Sequence, residues 1–158
     1  MVGQRVIEKL ESEVDRIRTR YDPKSTEDLV KSAKNEYGVR EVVNTPLVCN
    51  ASRVSRVGKD LYIFYHATFK PRERHALGHE IGHIAAGHLD GRPESWEQES
   101  EANYFSQRLN GISPSKYWTY LAVGAVLSFR EDVLNPFRRT KEIERLKRLG
   151  VYHVLERA

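Results

Sequence analysis

The sequence predicts an α+β fold, with helices leading into a small, mostly antiparallel sheet and more helices following it. Three observations point there. Apolar residues recur at spacings of three and four before residue 40 and again after residue 70. Between them lie short runs rich in β-branched and aromatic residues, separated by turn residues. The chain has 158 residues, 39% hydrophobic and 30% charged, which suits one domain with a modest core. The expected organisation is a single domain over residues 1–158: N-terminal helices in 1–40, a core at about 45–112 and a helical extension in 113–158.

Val2, Val6, Leu10, Val14 and Ile17 share one face, so residues 2–20 should form an amphipathic helix. Ser25 to Tyr37 reads as a second helix, with Ser25 or Thr26 as N-cap and Gly38 as its stop. From Pro46 onward LVCN, SRVSRV and LYIFYHATF read as strand-like, and Val57-Gly58-Lys59-Asp60 as the hairpin turn joining the last two. Pro71 fits the first turn of a helix through a histidine-rich segment. The stretch LDGRP, residues 89–93, reads as a loop. A helix from about Trp96 to Leu109 follows it, opened by a capping box of Ser95 and Gln98. Ser113 and Pro114 start another through about Phe129, and residues 138–149 form the last.

No apolar run approaches the roughly 20 residues that span a bilayer. The N-terminus alternates charge with apolar residues, unlike a signal peptide, so the expected location is the cytoplasm. A single cysteine, Cys49, excludes an internal disulfide. The net charge is +4, and RRTKEIERLKR, residues 138–148, holds six basic and two acidic side chains. A solvated helix face is the expected role of that run, with contact to nucleic acid or to an acidic protein as the alternatives.

The chemistry concentrates in HALGHEIGHIAAGH, residues 75–88, which contains four of the six histidines and three of the ten glycines. At about 100° per residue, His79 and His83 lie some 40° apart on one face, with Glu80 beside them. Leu77, Ile81 and Ile84 occupy the opposite, buried face. Two histidines four apart on a helix can aim nitrogens at one metal ion, and the glutamate after the first can act as general base toward a water there. Chance would produce H-E-x-x-H roughly 0.02 times in a chain of this composition. Gly78, Gly82, Ala85 and Ala86 make a stripe of small side chains that would let a second, ligand-bearing helix approach closely, while Gly87 reads as the fraying end.

A zinc site of this kind needs a third protein ligand. His88 comes five residues after His83 and projects away from the ligand face, as a histidine at the helix C-terminus would. His75 shares the face a turn earlier and reads as substrate-side. On the helix WEQESEANYFSQRL, Glu101 borders the apolar flank of Ala102, Phe105 and Leu109, with Glu97 further out and Glu99 beyond the other edge. Glu101 is therefore the expected third ligand, with Glu97 in reserve.

These segments together resemble the ImmA/IrrE family of metallo-endopeptidases. The resemblance rests on HALGHEIGHIAAGH, on LYIFYH before it, and on Glu101-Ala102-Asn103-Tyr104-Phe105, which matches a Glu-Ala-Asn-x-Phe-Ala signature with serine at 106. It covers roughly residues 45–112. It implies a minimal zincin-like protease fold, one zinc ion held by His79, His83 and Glu101, and Glu80 as catalytic base. Phe105 stands where thermolysin-like enzymes place an aspartate. The chain departs from the family where an Ala- and Leu-rich run ending in Met-Pro is usual and Arg108-Leu109-Asn110-Gly111-Ile112 stands instead. Members cleave helix-turn-helix repressors of phages, mobile elements or stress regulons, so that substrate class is expected, with regulation acting in trans.

The expected reaction is zinc-dependent peptide hydrolysis, with Glu80 moving the proton. Tyr104, Tyr117, Tyr120, His66 and His75 are candidates for the oxyanion donor. Strand 61–66 could pair with an extended substrate. Two rival readings remain. One is a non-catalytic zincin-like protein that sequesters a repressor or contacts DNA through the basic 138–148 helix. The other is a purely structural zinc, closed by Cys49 or His75.

Overall fold

A computed structural model describes residues 4–48, 52–67, 70–89, 95–134 and 138–157. The fold is α+β. Helix α1 spans Gln4–Tyr21 and α2 spans Thr26–Tyr37, followed by strands β1 (Val39–Asn44), β2 (Ser52–Val57) and β3 (Asp60–Tyr65). Helices α3 (Lys70–Ala86), α4 (Trp96–Asn110), α5 (Pro114–Leu134), α6 (Arg138–Arg148) and α7 (Tyr152–Arg157) complete the chain.

The sheet order is β1-β3-β2, with β1 parallel and β2 antiparallel to the central β3. It is thus mixed, which corrects the mostly antiparallel sheet expected. The source of the error is β1, VREVVN. A register shift between Val39 and Glu41 leaves Arg40 and Glu41 both exposed, breaking the alternation by which a half-buried strand is recognised. Strand-like LVCN is no strand in its described part: Pro46 follows the last ladder bond, Thr45 N–H to Tyr65 O at 2.7 Å, and Thr45–Val48 turns away. Cys49 and Asn50 lie outside the described residues, as do 90–93 of the predicted loop.

Because β3 is central, both of its faces are buried. Leu61, Ile63 and Tyr65 join Leu10, Val14, Ile17, Leu29, Leu77, Ile81 and Phe105 in a layer under α1, α2, α3 and α4. Tyr62 and Phe64 face the other way, onto Val43, Val48, Leu146, Val151 and Val154. The C-terminal helices α6 and α7 therefore close the second face of the sheet. In α6 only Leu146 is buried, and most of its cations lie on the solvated side, while Arg145 bonds Glu142 and the carbonyl of Asn44.

The local signals hold at several ends. Ser25 and Ser95 both form complete capping boxes, with Asp28 and Gln98, and Gly38 and Gly111 end their helices in the left-handed conformation. Gly58 takes positive φ in the two-residue hairpin loop between β2 and β3. Among the described residues no helix is long and apolar enough to cross a membrane.

Candidate metal centre

Helices α3 and α4 cross at their small residues. A Cβ added to Gly82 would stand 3.0 Å from the Cα of Ala102, and one added to Gly78 would stand 3.3 Å from the Cα of Ser106. Only hydrogen at those two positions permits the approach, which answers why a helix accepts glycines there. The close seam brings the neighbouring side chains of both helices together.

At that seam the Nε2 atoms of His79 and His83 lie 3.0 Å apart. The Glu99 carboxylate completes the group, with one oxygen 3.4 Å from His79 Nε2 and the other 3.4 Å from His83 Nε2. Tetrahedral donors at about 2.0–2.1 Å from a zinc ion stand roughly 3.3–3.4 Å from one another. The three spacings are close to that figure, and two imidazoles with one carboxylate are a donor set suited to zinc. His79, His83 and Glu99 form a group that could hold a metal ion.

The third member is Glu99, not Glu101 or Glu97. The apolar flank of α4 was the wrong reference. Relative to Glu99 at zero, Asn103, Asn110 and Ser106 fall within about 40°, while Glu101 sits about 160° away. Ala102 and Ser106 meet the glycines of α3, so the edge beside them carries the carboxylate that joins the two histidines. The i, i+4 pair Ala102/Ser106, matched to Gly78/Gly82, was the signal available in the sequence. Glu97 is exposed.

Glu101 nevertheless belongs to the site. Gly87, at φ +87°, ends α3 in a left-handed turn, with the amide of His88 bonding the carbonyl of His83 at 2.9 Å. This reversal folds His88 back against His83, instead of leaving it on the far face as helical projection predicts. His88 Nε2 lies 2.8 Å from the Glu101 carboxylate, and the Nδ1 atoms of His83 and His88 are 3.0 Å apart. A carboxylate can only accept, so His88 donates from Nε2 and accepts at Nδ1. His83 then donates from Nδ1 and keeps its Nε2 lone pair for a metal.

His79 is held in the same way. Its Nδ1 lies 3.0 Å from Oδ1 of Asn103, which also accepts from the hydroxyl of Tyr117 at 3.3 Å. Both imidazoles of the group are therefore fixed in the tautomer and orientation that aim Nε2 into the centre.

Charge reinforces the arrangement. Burial works against protonating His79, but the carboxylates of Glu99 and Glu80 outweigh it and raise its pKa. Burial, followed by repulsion from His79, lowers the pKa of His83 to about 4. A metal ion entering the centre would displace the proton favoured on His79. Glu80 is buried beside this pair, at 3% exposure.

His75 is buried next to the ligands, its ring centroid 4.5 Å from that of Tyr117. The Ser106 hydroxyl donates to the His75 carbonyl at 2.8 Å and lies 2.7 Å from Nδ1, so Nδ1–H donates to the hydroxyl and Nε2 carries the lone pair. Tyr104 is corrected as an oxyanion candidate. Its hydroxyl points to α1, where Glu11 accepts from it and from Arg108. Tyr120 lines a separate cavity beside Lys70 and Lys116, and His66 is buried just past β3. Tyr117 is the candidate hydroxyl next to the centre. Cys49, considered as a closing ligand, lies outside the described residues.

No family model, curated protein or solved structure matches this chain.

Proposed function

We propose that the chain is a zinc-dependent endopeptidase of the ImmA/IrrE type, holding zinc through His79, His83 and Glu99. The observation that carries the reading is the trio of donor atoms at near-tetrahedral spacing with the buried carboxylate of Glu80 adjacent. A zinc ion held there would supply Lewis acidity, polarising a scissile carbonyl and acidifying water.

The chain's own residues divide the remaining work. Glu80 takes a proton from the attacking water and gives it to the departing amine. Asn103 and the His88–Glu101 pair hold the ligand imidazoles. The Tyr117 hydroxyl, bonded to Asn103, and the His75 ring, its centroid 6.2 Å from that of His79, are the groups beside the centre assigned to contact a substrate. The resemblance supports a helix-turn-helix repressor as substrate.

The test joins metal analysis to cleavage. Wild-type protein is expected to carry about one zinc per chain, and to cut a repressor encoded near it. Glu80→Gln should keep the zinc and lose the cleavage. Full biological activity in Glu80→Gln would favour the binding-protein reading, which the exposed cations of α6 support. Absence of zinc from the wild type would overturn the metal centre itself.

A further inference from the structure

Arg72 lies on the face of α3 that carries His79, about 20° from it and two turns nearer the N-terminus. Its Nε and Nη1 are shut off from solvent and have no hydrogen-bond partner among the described residues. No carboxylate there pairs with it. Glu73, the acidic neighbour on the same helix, is turned away and accepts from Tyr65 and Thr26 at 2.7 and 3.0 Å. Burial lowers the pKa of Arg72, and its charge is near enough to His75 to disfavour a proton there. A half-buried cation without a counter-ion is costly to the folded chain, and such costs concentrate where a ligand supplies the missing charge.

We propose that Arg72 is a substrate-binding residue that receives a carboxylate of the peptide. The inference rests on the endopeptidase reading and names its substrate preference. Seven residues of helix rise about 10 Å, and an extended peptide advances about 3.3 Å per residue. The recognised carboxylate therefore sits roughly three residues from the scissile bond. Arginine suits this task because its guanidinium keeps its charge when half-buried and needs only one open N–H edge to meet a carboxylate oxygen. Two sources share that chemistry: an internal Asp or Glu side chain, and a C-terminal carboxylate.

The experiment is digestion of a degenerate peptide library by zinc-loaded wild type, Arg72→Gln and Arg72→Glu, with cut positions read by mass spectrometry. Wild type is expected to favour Asp and Glu over their amides by about tenfold at one position near the third residue from the cut. Arg72→Gln should lose that preference and still cut neutral sequences, and Arg72→Glu should turn it toward Lys and Arg. Enrichment within peptides identifies a side chain. Enrichment confined to cuts about three residues from the C-terminus identifies the terminal carboxylate. Cleavage with no acidic preference, or with one unchanged in both variants, overturns the role of Arg72 and leaves the peptidase reading standing. No cleavage of any peptide by wild type overturns both. Thermal unfolding supplies a control: Arg72→Gln should melt no lower than wild type. A clear fall would mean the guanidinium has a structural partner, against the proposal.

Discussion

The Nδ1 atoms of His83 and His88 lie 3.0 Å apart, although a continuous helix would set these residues on different faces. The left-handed Gly87 makes the contact, and Glu101 fixes its polarity by accepting from His88 Nε2 at 2.8 Å. Removing such an outer partner commonly costs 10–100-fold in metal affinity. His88→Ala and Glu101→Gln should each weaken zinc binding by roughly that factor, while saturating zinc still fills one site per chain. Competition with a fluorescent chelator measures it. Unchanged affinity in both variants would remove the relay from the account.

Glu99→Ala should behave differently in kind. It removes one of three donors, so zinc affinity should fall further than in His88→Ala and the purified protein should lose stoichiometric metal. Elemental analysis of Glu99→Ala beside Glu101→Ala separates the two carboxylates. Full loading in Glu99→Ala, with loss in Glu101→Ala, would exchange their roles.

This pair of glutamates shows how far the residues alone can be read. His79, Glu80 and His83 stand on one helix, so a fixed angular step relates them without knowledge of anything else. The third donor comes from another helix, and its identity depends on which edge of α4 meets α3. Phe105 and Leu109 suggested the apolar edge, whereas contact runs along Ala102 and Ser106. His88 was hidden because angular projection assumes that the helix continues, and Gly87 ends it. Helix caps at Ser25 and Ser95 were legible because capping is a local bargain between residues three apart. Strand β1 was not, since its pairing partner is 20 or more residues away and its charged Arg40 and Glu41 conceal the pattern.

The α3–α4 seam predicts the cost of adding a methyl group. In Gly82→Ala the new Cβ would meet the Cα and carbonyl oxygen of Ala102 at 3.0 Å and the Cβ of Phe105 at 3.1 Å. Two of these atoms are backbone, so the helices must move apart. Overpacking costs about 1–3 kcal/mol, and improved helix propensity returns at most about 1 kcal/mol. The melting temperature should therefore fall, by about 2–4 °C for each net kcal/mol. Zinc affinity should fall with it, because the same displacement draws Glu99 away from the histidines. A melting temperature at or above wild type would mean that the seam has slack.

Acid should act on the metal-free protein through His75. Burial, then the neighbouring charge of His79, lowers its folded pKa to about 3 from an ordinary value of 6.5. Between those values the unfolded chain binds a proton that the folded chain refuses. Stability is then full above about 6.5 and is lost as pH falls toward about 3, by an amount on the order of a few kcal/mol. The raised pKa of His79 works in the opposite sense, since a proton there favours the folded state as pH falls. Comparison with His75→Gln isolates the first contribution. Urea titrations of the metal-free proteins at pH 7.5 and about 4.5 should show wild type losing more stability than the variant over that interval. His75→Gln should be less stable than wild type at neutral pH, because its amide cannot reproduce the Nδ1–H bond to Ser106, yet its stability should vary less with pH. Equal acid losses in the two proteins would mean that His75 takes up its proton without unfolding, and that its contact with Ser106 survives the charge.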